Sequence, residues 1–289
     1  MTDPADDFHS PTPPRVEVEI GARSDIGKRR PDNQDHYLVV RRRRSRSVLA
    51  TSLRDAPLDA ADEDAYVLAV ADGMGGRAFG ELASQLALRT GWDLGAAELK
   101  WTLKATEQEL GELERKARLY FELIDAAIAA HAASQPGSRA MGTTLTIFYS
   151  VSSSGFVFHA GDSRAYLWSG GQLLRLTRDH TVAQQLVDAG ALPKELAATS
   201  PYRHLLTNYV GGARGDLRVD VTRIDLKDGD GVLVCSDGLT DMVAEPEIAK
   251  ALAADGRPQP ACDALIARAL EAGGRDNVTV VLARYRIPA

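Results

Sequence analysis

Four aspartates stand where strongly apolar runs begin or end. Asp72 follows Val67 to Ala71, Asp162 follows Phe156 to Gly161, Asp237 follows Val232 to Ser236, and Asp276 comes just before Val278 to Leu282. Runs of this composition read as buried strands, and strand ends along one sheet edge cluster in space. Carboxylates gathered there repel one another and are costly to ionise without a cation, so the pattern suggests a metal centre. The simpler reading is that Asp-Gly is a common turn or helix cap. In the hairpin form of that reading a strand resumes directly after the turn. Here Asp72-Gly73-Met74-Gly75-Gly76 and Asp237-Gly238-Leu239-Thr240-Asp241 each lead into a helical pattern. Capping accounts for one such aspartate taken singly and less well for the set.

The donor types name the metal class. Several aspartates with no clustered histidines and no paired thiols suit Mg2+ or Mn2+ rather than zinc or copper. Glycines beside Asp72 let the backbone turn sharply and present a carbonyl oxygen as a further ligand. Two such ions about 3.5 to 4 Å apart share a bridging hydroxide suited to attack on a phosphoryl group.

Periodicity supplies the elements that must position these residues. Val16 to Ile20 alternates as a half-buried strand, His36 to Val40 and Ala65 to Ala71 read as strands, and residues 41–64 between them read as a charged loop insertion. Amphipathic helices are predicted over Leu82 to Leu94 and Leu103 to Ala133, with Gly91 and Gly95 marking the break. Hairpin-like pairs follow at Thr143 to Ser150 with Gly155 to Ala160, and at Ala165 to Trp168 with Gln172 to Leu176. A helix at Val182 to Ala189 leads into an irregular stretch, Gly190 to Gly215, and then come strands at Leu217 to Leu226 and Gly231 to Cys235. Helices at Asp241 to Ala254 and Pro260 to Ala272 precede a last strand, Val278 to Tyr285. Strands arriving in adjacent pairs, with helices bunched between the sets, predict an α+β fold of antiparallel sheets packed with helices. Residues 1–15 read as a flexible tail and 16–289 as one domain.

With 289 residues, 44% apolar and 26% charged, the chain has the composition of a soluble globular protein, which excludes collagen-like, coiled-coil and wholly disordered classes. No run of 18 apolar residues is present, and Met1 to Ser10 is acidic without an export pattern, so a cytoplasmic protein with no membrane partner is expected. Two cysteines, Cys235 and Cys262, make neither a disulfide framework nor a thiolate zinc site, and fit a reducing compartment. A net charge of -6 argues against general nucleic-acid binding. The arginine run at 41–46 reads as a solvated loop, with a patch for nucleic acid or an acidic partner as the alternative. His180, between a strand and a helix and with no histidine partner, reads as a local cap or loop residue. No phosphate-binding Gly-Lys-Ser/Thr loop, Gly-x-Ser-x-Gly elbow or His-Glu-x-x-His motif is present.

Taken in order, Arg30-Pro31-Asp32-Asn33-Gln34-Asp35, Asp72-Gly73-Met74-Gly75-Gly76, Met141-Gly142-Thr143-Thr144, Gly161-Asp162-Ser163-Arg164, Ser236-Asp237-Gly238 and Arg275-Asp276-Asn277 resemble the motifs of the metal-dependent, type 2C serine/threonine protein phosphatases, bacterial members in particular. The resemblance implies a four-layer α-β-β-α sandwich of two antiparallel sheets flanked by helices, with two or three Mn2+ or Mg2+ ions in a cleft at one edge. It implies that Asp72 bridges two ions, that the Gly73 carbonyl binds one and Asp237 and Asp276 the other, and that Asp35 holds metal-bound water. Asp162 and Asp241 match a weaker third site, and Arg30 the arginine that receives the substrate phosphate. Residues 190–215 correspond to a variable flap whose Tyr202, Arg203 and His204 are candidates for phosphopeptide contact. Partners implied are phosphoproteins, with a serine/threonine kinase as antagonist. The sequence departs from the pattern at Gln34, where the family commonly has glutamate, and carries Met74 where animal members have histidine. Gln34 motivates an alternative, a non-catalytic phosphoprotein-binding module of the same fold.

Overall fold

In a computed structural model, which describes residues 16–44, 63–97, 107–135, 141–212, 217–254 and 256–288, the alternating stretch after Val16 forms strand β1 (Glu17–Asp25). Strands β2 (Asp35–Arg44) and β3 (Glu63–Met74) pair antiparallel, with Asp35 opposite Asp72 and Arg44 opposite Glu63. The loop expected over 41–64 is therefore shorter: Arg41 to Arg44 finish β2, Glu63 and Asp64 open β3, and 45–62 lie outside the described residues, as do 1–15. Arg41 and Arg43 both donate to the Asp64 carboxylate across the strand pair, at 2.5 and 3.0 Å. Cross-strand charge pairing lets so basic a segment stay in a sheet.

Helices α1 (Arg77–Ala97) and α2 (Glu107–Ser134) follow. The break expected at Gly91 and Gly95 is absent, because α1 runs through both. Gly91 lies where the helices cross: a Cβ added there would sit 3.6 Å from Ile124 Cδ1. The second expected helix, from Leu103, begins among the described residues at Glu107. Next come β4 (Gly142–Thr143), the hairpin β5 (Leu145–Val151) and β6 (Ser154–Ala160), and the hairpin β7 (Arg164–Ser169) and β8 (Gln172–Arg175). Helix α3 (Val182–Asp188) is capped by Thr181, whose hydroxyl accepts from the Gln184 amide. The expected irregular stretch contains a 3-10 turn at Lys194–Thr199 and β9 (Val210–Gly211). The chain closes with β10 (Asp220–Asp225), β11 (Gly231–Cys235), α4 (Asp237–Thr240), α5 (Glu245–Ala254), α6 (Pro258–Glu271) and β12 (Val278–Arg286). The helix predicted over Asp241 to Ala254 is thus split, with Asp241 at the C-cap of the single turn α4. Leu239 and Val243, on either side of the break, are both buried in the core beneath α5 and α6.

One sheet runs β1-β12-β11-β7-β8, and the other runs β10-β6-β5-β3-β4-β9 with β2 also on β3. Three apolar clusters define the layers. Phe121, Ile124 and Ile128 of α2 pack with Leu145, Phe156 and Phe158 outside the second sheet. Leu68, Val70 and Phe148 meet Val232, Val234 and Val281 between the sheets. Ile248, Leu265 and Ile266 cover Leu233, Val280 and Leu282 outside the first sheet. This is the expected α-β-β-α sandwich. Cys235 and Cys262 are free and buried, and burial pushes both thiols up to about 12, so they are packing groups. Among the described residues no helix is long and apolar enough to cross a membrane.

Candidate metal centre

The two sheets meet at one edge. Asp35 and Asp72 are register partners on β2 and β3 of one sheet, while Asp237 follows β11 and Asp276 precedes β12 in the other. Ser236 joins the sheets: its Oγ donates to Asp35 Oδ2 at 2.6 Å and accepts from the Thr279 amide at 3.0 Å. Asp72 lies inside β3 rather than after it, because pairing continues through Gly73 opposite Thr143 and Met74 opposite Gly142. The adjacent threonines fix its backbone, the Thr144 amide and the Thr143 hydroxyl both donating to the Asp72 carbonyl at 2.9 Å. A side chain at Gly73 would overlap the Gly80 carbonyl, so α1 enters against bare backbone there. The Gly73 amide donates to the Gln34 carbonyl at 3.2 Å, which ties the Asp72 turn to the Arg30 loop.

Asn277 laces that loop to β12. Its Oδ1 accepts from the Gln34 amide at 2.8 Å, and its Nδ2 donates to the Ile26 and Asp32 carbonyls at 2.9 and 3.0 Å. Arg30 therefore sits beside Asp276 and donates to it twice, Nε to Oδ1 at 2.7 Å and Nη2 to Oδ2 at 2.6 Å. Gly238 packs against Asn277, where a Cβ would overlap the Asn277 carbonyl. Asp241 lies one turn after Asp237 and donates its amide to the Asp237 carbonyl at 2.8 Å, so both carboxylates belong to one short helical turn.

Asp162 sits in the turn between β6 and β7. Gly161 before it has φ +124°, and a side chain there would come within 2.5 Å of Thr144. His180, expected as a loop residue, is buried behind this turn: its Nδ1 accepts from the Gly161 amide at 3.2 Å and its Nε2 meets Asp220 Oδ2 at 2.9 Å. Arg164 is held by Asp179, Nη2 to Oδ2 at 2.7 Å, and its charge moderates Asp162 and Asp241.

All eight residues singled out from the sequence come together: Arg30, Asp35, Asp72, Gly73, Asp162, Asp237, Asp241 and Asp276. Their electrostatics are those of a site that favours a cation. Burial first, and then the charges of Asp35, Asp237, Asp162 and Asp276, push the Asp72 carboxyl well above the carboxylate range. Burial followed by Asp237 and Asp179 does the same to Asp162, and burial raises Asp35 to about 7. Asp35 Oδ1 is buried with no hydrogen-bond partner among the described residues. Oxygen donors alone, mutually repelling and partly unsatisfied, fit hard divalent ions such as Mn2+ or Mg2+.

Residues of the flap reach the same site. His204 points into the aspartates, Nδ1 3.5 Å from Asp237 Oδ2 and Nε2 3.3 Å from Asp241 Oδ2, and Arg203 Nη2 lies 3.8 Å from Asp241. Tyr202 is exposed. Ser236, Thr144, Asn277 and His180 are supporting residues to which sequence reasoning assigned no role at the site. The first three stood inside the quoted motifs, which was the available signal.

Comparison with known proteins agrees with this geometry. The sequence profile of the family described as Protein phosphatase 2C matches residues 50–259. The chain is 40% identical over 222 residues to the serine/threonine protein phosphatase PstP of Mycobacterium tuberculosis, covering 76% of this chain but 40% of that protein. It therefore spans about two fifths of that relative's length. It is 34% identical over 216 residues to the serine/threonine phosphatase stp of Listeria monocytogenes, covering 75% of this chain and 83% of that one. The crystal structure of the PstP catalytic domain with two manganese ions superposes with a TM-score of 0.73 at 32% identity, covering 94% of this chain and all of that chain (100%). The order of motifs, the sandwich and the convergent aspartates place this chain in the protein phosphatase 2C family.

Proposed function

We propose that this protein is a Mn2+- or Mg2+-dependent phosphatase of phosphoserine and phosphothreonine in proteins. The observation that carries the reading is the convergence of Asp72, Asp237 and Asp276, with Asp35 beside them, on one edge where burial and the neighbouring charges raise the Asp72 and Asp35 carboxyls. Asp72 and the Gly73 carbonyl would hold one ion, Asp237 and Asp276 together with Asp72 a second, and Asp162 and Asp241 a weaker third. Such ions would supply acidified water and neutralise charge building on the phosphoryl oxygens. Arg30 receives the substrate phosphate, turning its two donors from Asp276 to phosphate oxygens. Asp35, fixed by Ser236, orients water at the centre through its free Oδ1. Phosphoproteins are the substrates and a serine/threonine kinase is the antagonist; two buried free thiols suit action in a reducing cytoplasm.

The intact carboxylate set favours this over a non-catalytic phosphoprotein-binding module. Hydrolysis of p-nitrophenyl phosphate and a phosphothreonine peptide with Mn2+, Mg2+ or EDTA, beside Asp237→Asn, tests it. Metal-dependent turnover lost in the variant is the expected result. Folded wild-type protein that binds phosphopeptide but turns over nothing at any Mn2+ concentration would favour the binding module.

A further inference from the structure

A cavity of about 390 Å3 opens on the outer face of the first sheet, between the strands and the end of α5, and Glu17, Glu19, Trp168, Leu252, Arg284 and Arg286 are among the residues that line it. Gly231 stands six residues before Asp237 and Arg284 eight after Asp276, so at about 3.3 Å per residue the cavity lies roughly 20 Å from the aspartates. Glu19, Arg284, Gly231 and Trp168 form one row across β1, β12, β11 and β7. A Cβ at Gly231 would come within 2.9 Å of Arg284 Nη1, so the bare strand lets the arginine lie flat across β11. Its guanidinium carbon stands 6.0 Å from the centre of the Trp168 ring, and its Nη2 donates to the Leu252 carbonyl in the last turn of α5.

Capping α5 occupies one donor of Arg284 and leaves its charge unanswered. The side chain is half-buried, and burial lowers its pKa against the pull of Asp230. Among the described residues it makes no other hydrogen bond and no ion pair, and its Nε is buried without a partner. Its cross-strand neighbour Glu19 leans to Arg286 instead, at 3.6 Å, and Glu17 lies 4.0 Å from Arg286 as well. A guanidinium withdrawn from water without a counter-ion favours an anion beside it. We propose that this cavity binds a small monocarboxylate with an aromatic or branched apolar body, the carboxylate accepting from Arg284 and the body lying against Trp168 and Leu252. The volume suits a small organic ligand. Glu17, Glu19 and the negative end of α5 disfavour a phosphate dianion there, which separates this cavity in chemistry as well as in place from the metal centre.

Nitrogen-15 resonances of the indole groups in the full chain test this, with EDTA present to keep the probes off the metal centre and Trp168→Phe to assign the Trp168 signal. Benzoate and phenylacetate should shift that signal saturably, with a Kd below about 1 mM. Benzyl alcohol, which lacks the charge, and phenyl phosphate, which carries a second one, should bind at least about tenfold more weakly. Arg284→Gln should loosen benzoate about tenfold. Ala253→Phe, at an exposed position of α5 on the cavity wall, should abolish binding by filling the space while leaving Arg284 in place. No saturable shift in wild type, or a shift undiminished in either folded variant, would overturn the proposal. Benzyl alcohol or phenyl phosphate binding as tightly as benzoate would overturn the assignment of a monocarboxylate. The phosphatase reading stands or falls separately, on turnover at the metal centre.

Discussion

Arg30 grips Asp276 with both prongs of its guanidinium, from a loop 246 residues away in sequence. Under the proposed reading the same carboxylate would also hold a metal ion, so the arginine and the cation would compete for it, and a substrate phosphate between them would relieve the competition. Arg30→Ala should raise KM for a phosphothreonine peptide about tenfold or more, the worth of one charge-assisted contact. It should leave Mn2+ affinity unchanged or tighter. Arg30→Lys should recover little, because an ammonium lacks the two-pronged geometry. Steady-state kinetics and calorimetry read the two effects separately, and weaker Mn2+ binding in Arg30→Ala would contradict the competition.

Two glycines set how closely the site's elements approach. A side chain at Gly238 would strike the Asn277 carbonyl, and one at Gly73 the Gly80 carbonyl, both rigid backbone. Gly238→Ala and Gly73→Ala should each cost about 2 to 4 kcal/mol. Gly111, exposed on α2 with open space around its missing Cβ, is the control. Gly111→Ala should gain about 0.5 to 1 kcal/mol from helix propensity. Urea melts of the three variants check the contrast, and equal effects would refute the close-approach argument.

The aspartates were legible because each abuts a run apolar enough to be a buried strand, and buried strand ends converge. What escaped notice was whatever depends on a distant partner. Arg41 to Arg44 look like loop until Asp64 is seen across the strand pair. Gly91 looks like a helix break until Ile124 is seen packed on it. Asn277 and Ser236 lay inside recognised motifs, but their hydrogen bonds to Gln34 and Asp35 join residues more than 200 positions apart. His204 lies in an irregular stretch with no periodicity, where pattern says nothing about which way a side chain faces.

Removal of metal should expose a pH dependence with a definite sign. Asp35 is raised to about 7 in the folded protein, from an ordinary value near 4. Its protonated form is favoured on folding, so its contribution is complete below about pH 4 and is lost as pH rises through about 7. Buried His159, lowered to about 3, works in the opposite sense over the acid range, so the Asp35 part must be taken as a difference. In EDTA, Asp35→Asn should melt several degrees above wild type at pH 8 and level with it at pH 4. Mn2+ should remove that advantage, and a wild type as stable as the variant at pH 8 without metal would show that Asp35 carries no such burden.

His180 couples the Asp162 turn to the flap, and its protonation pattern follows from its neighbours. The Gly161 amide and Asn208 Nδ2 both donate toward Nδ1, at 3.2 and 2.7 Å, so the ring proton resides on Nε2 and is given to Asp220 at 2.9 Å. Asn208 is oriented by Arg218, donating to its carbonyl at 2.8 Å and accepting from its amide at 2.9 Å. Burial lowers the His180 pKa despite the Asp220 hydrogen bond, which keeps the ring neutral as this network requires. His180→Ala strands a buried amide and loosens both the turn and the flap. It should cost about 2 to 4 kcal/mol and raise the Mn2+ concentration for half-maximal turnover about tenfold. Under the expectation that the flap contacts the larger substrate, turnover of a phosphothreonine protein should fall further than that of p-nitrophenyl phosphate. A variant that melted with the wild type and kept its Mn2+ requirement would reduce His180 to a space-filling ring with no hold on Asp162.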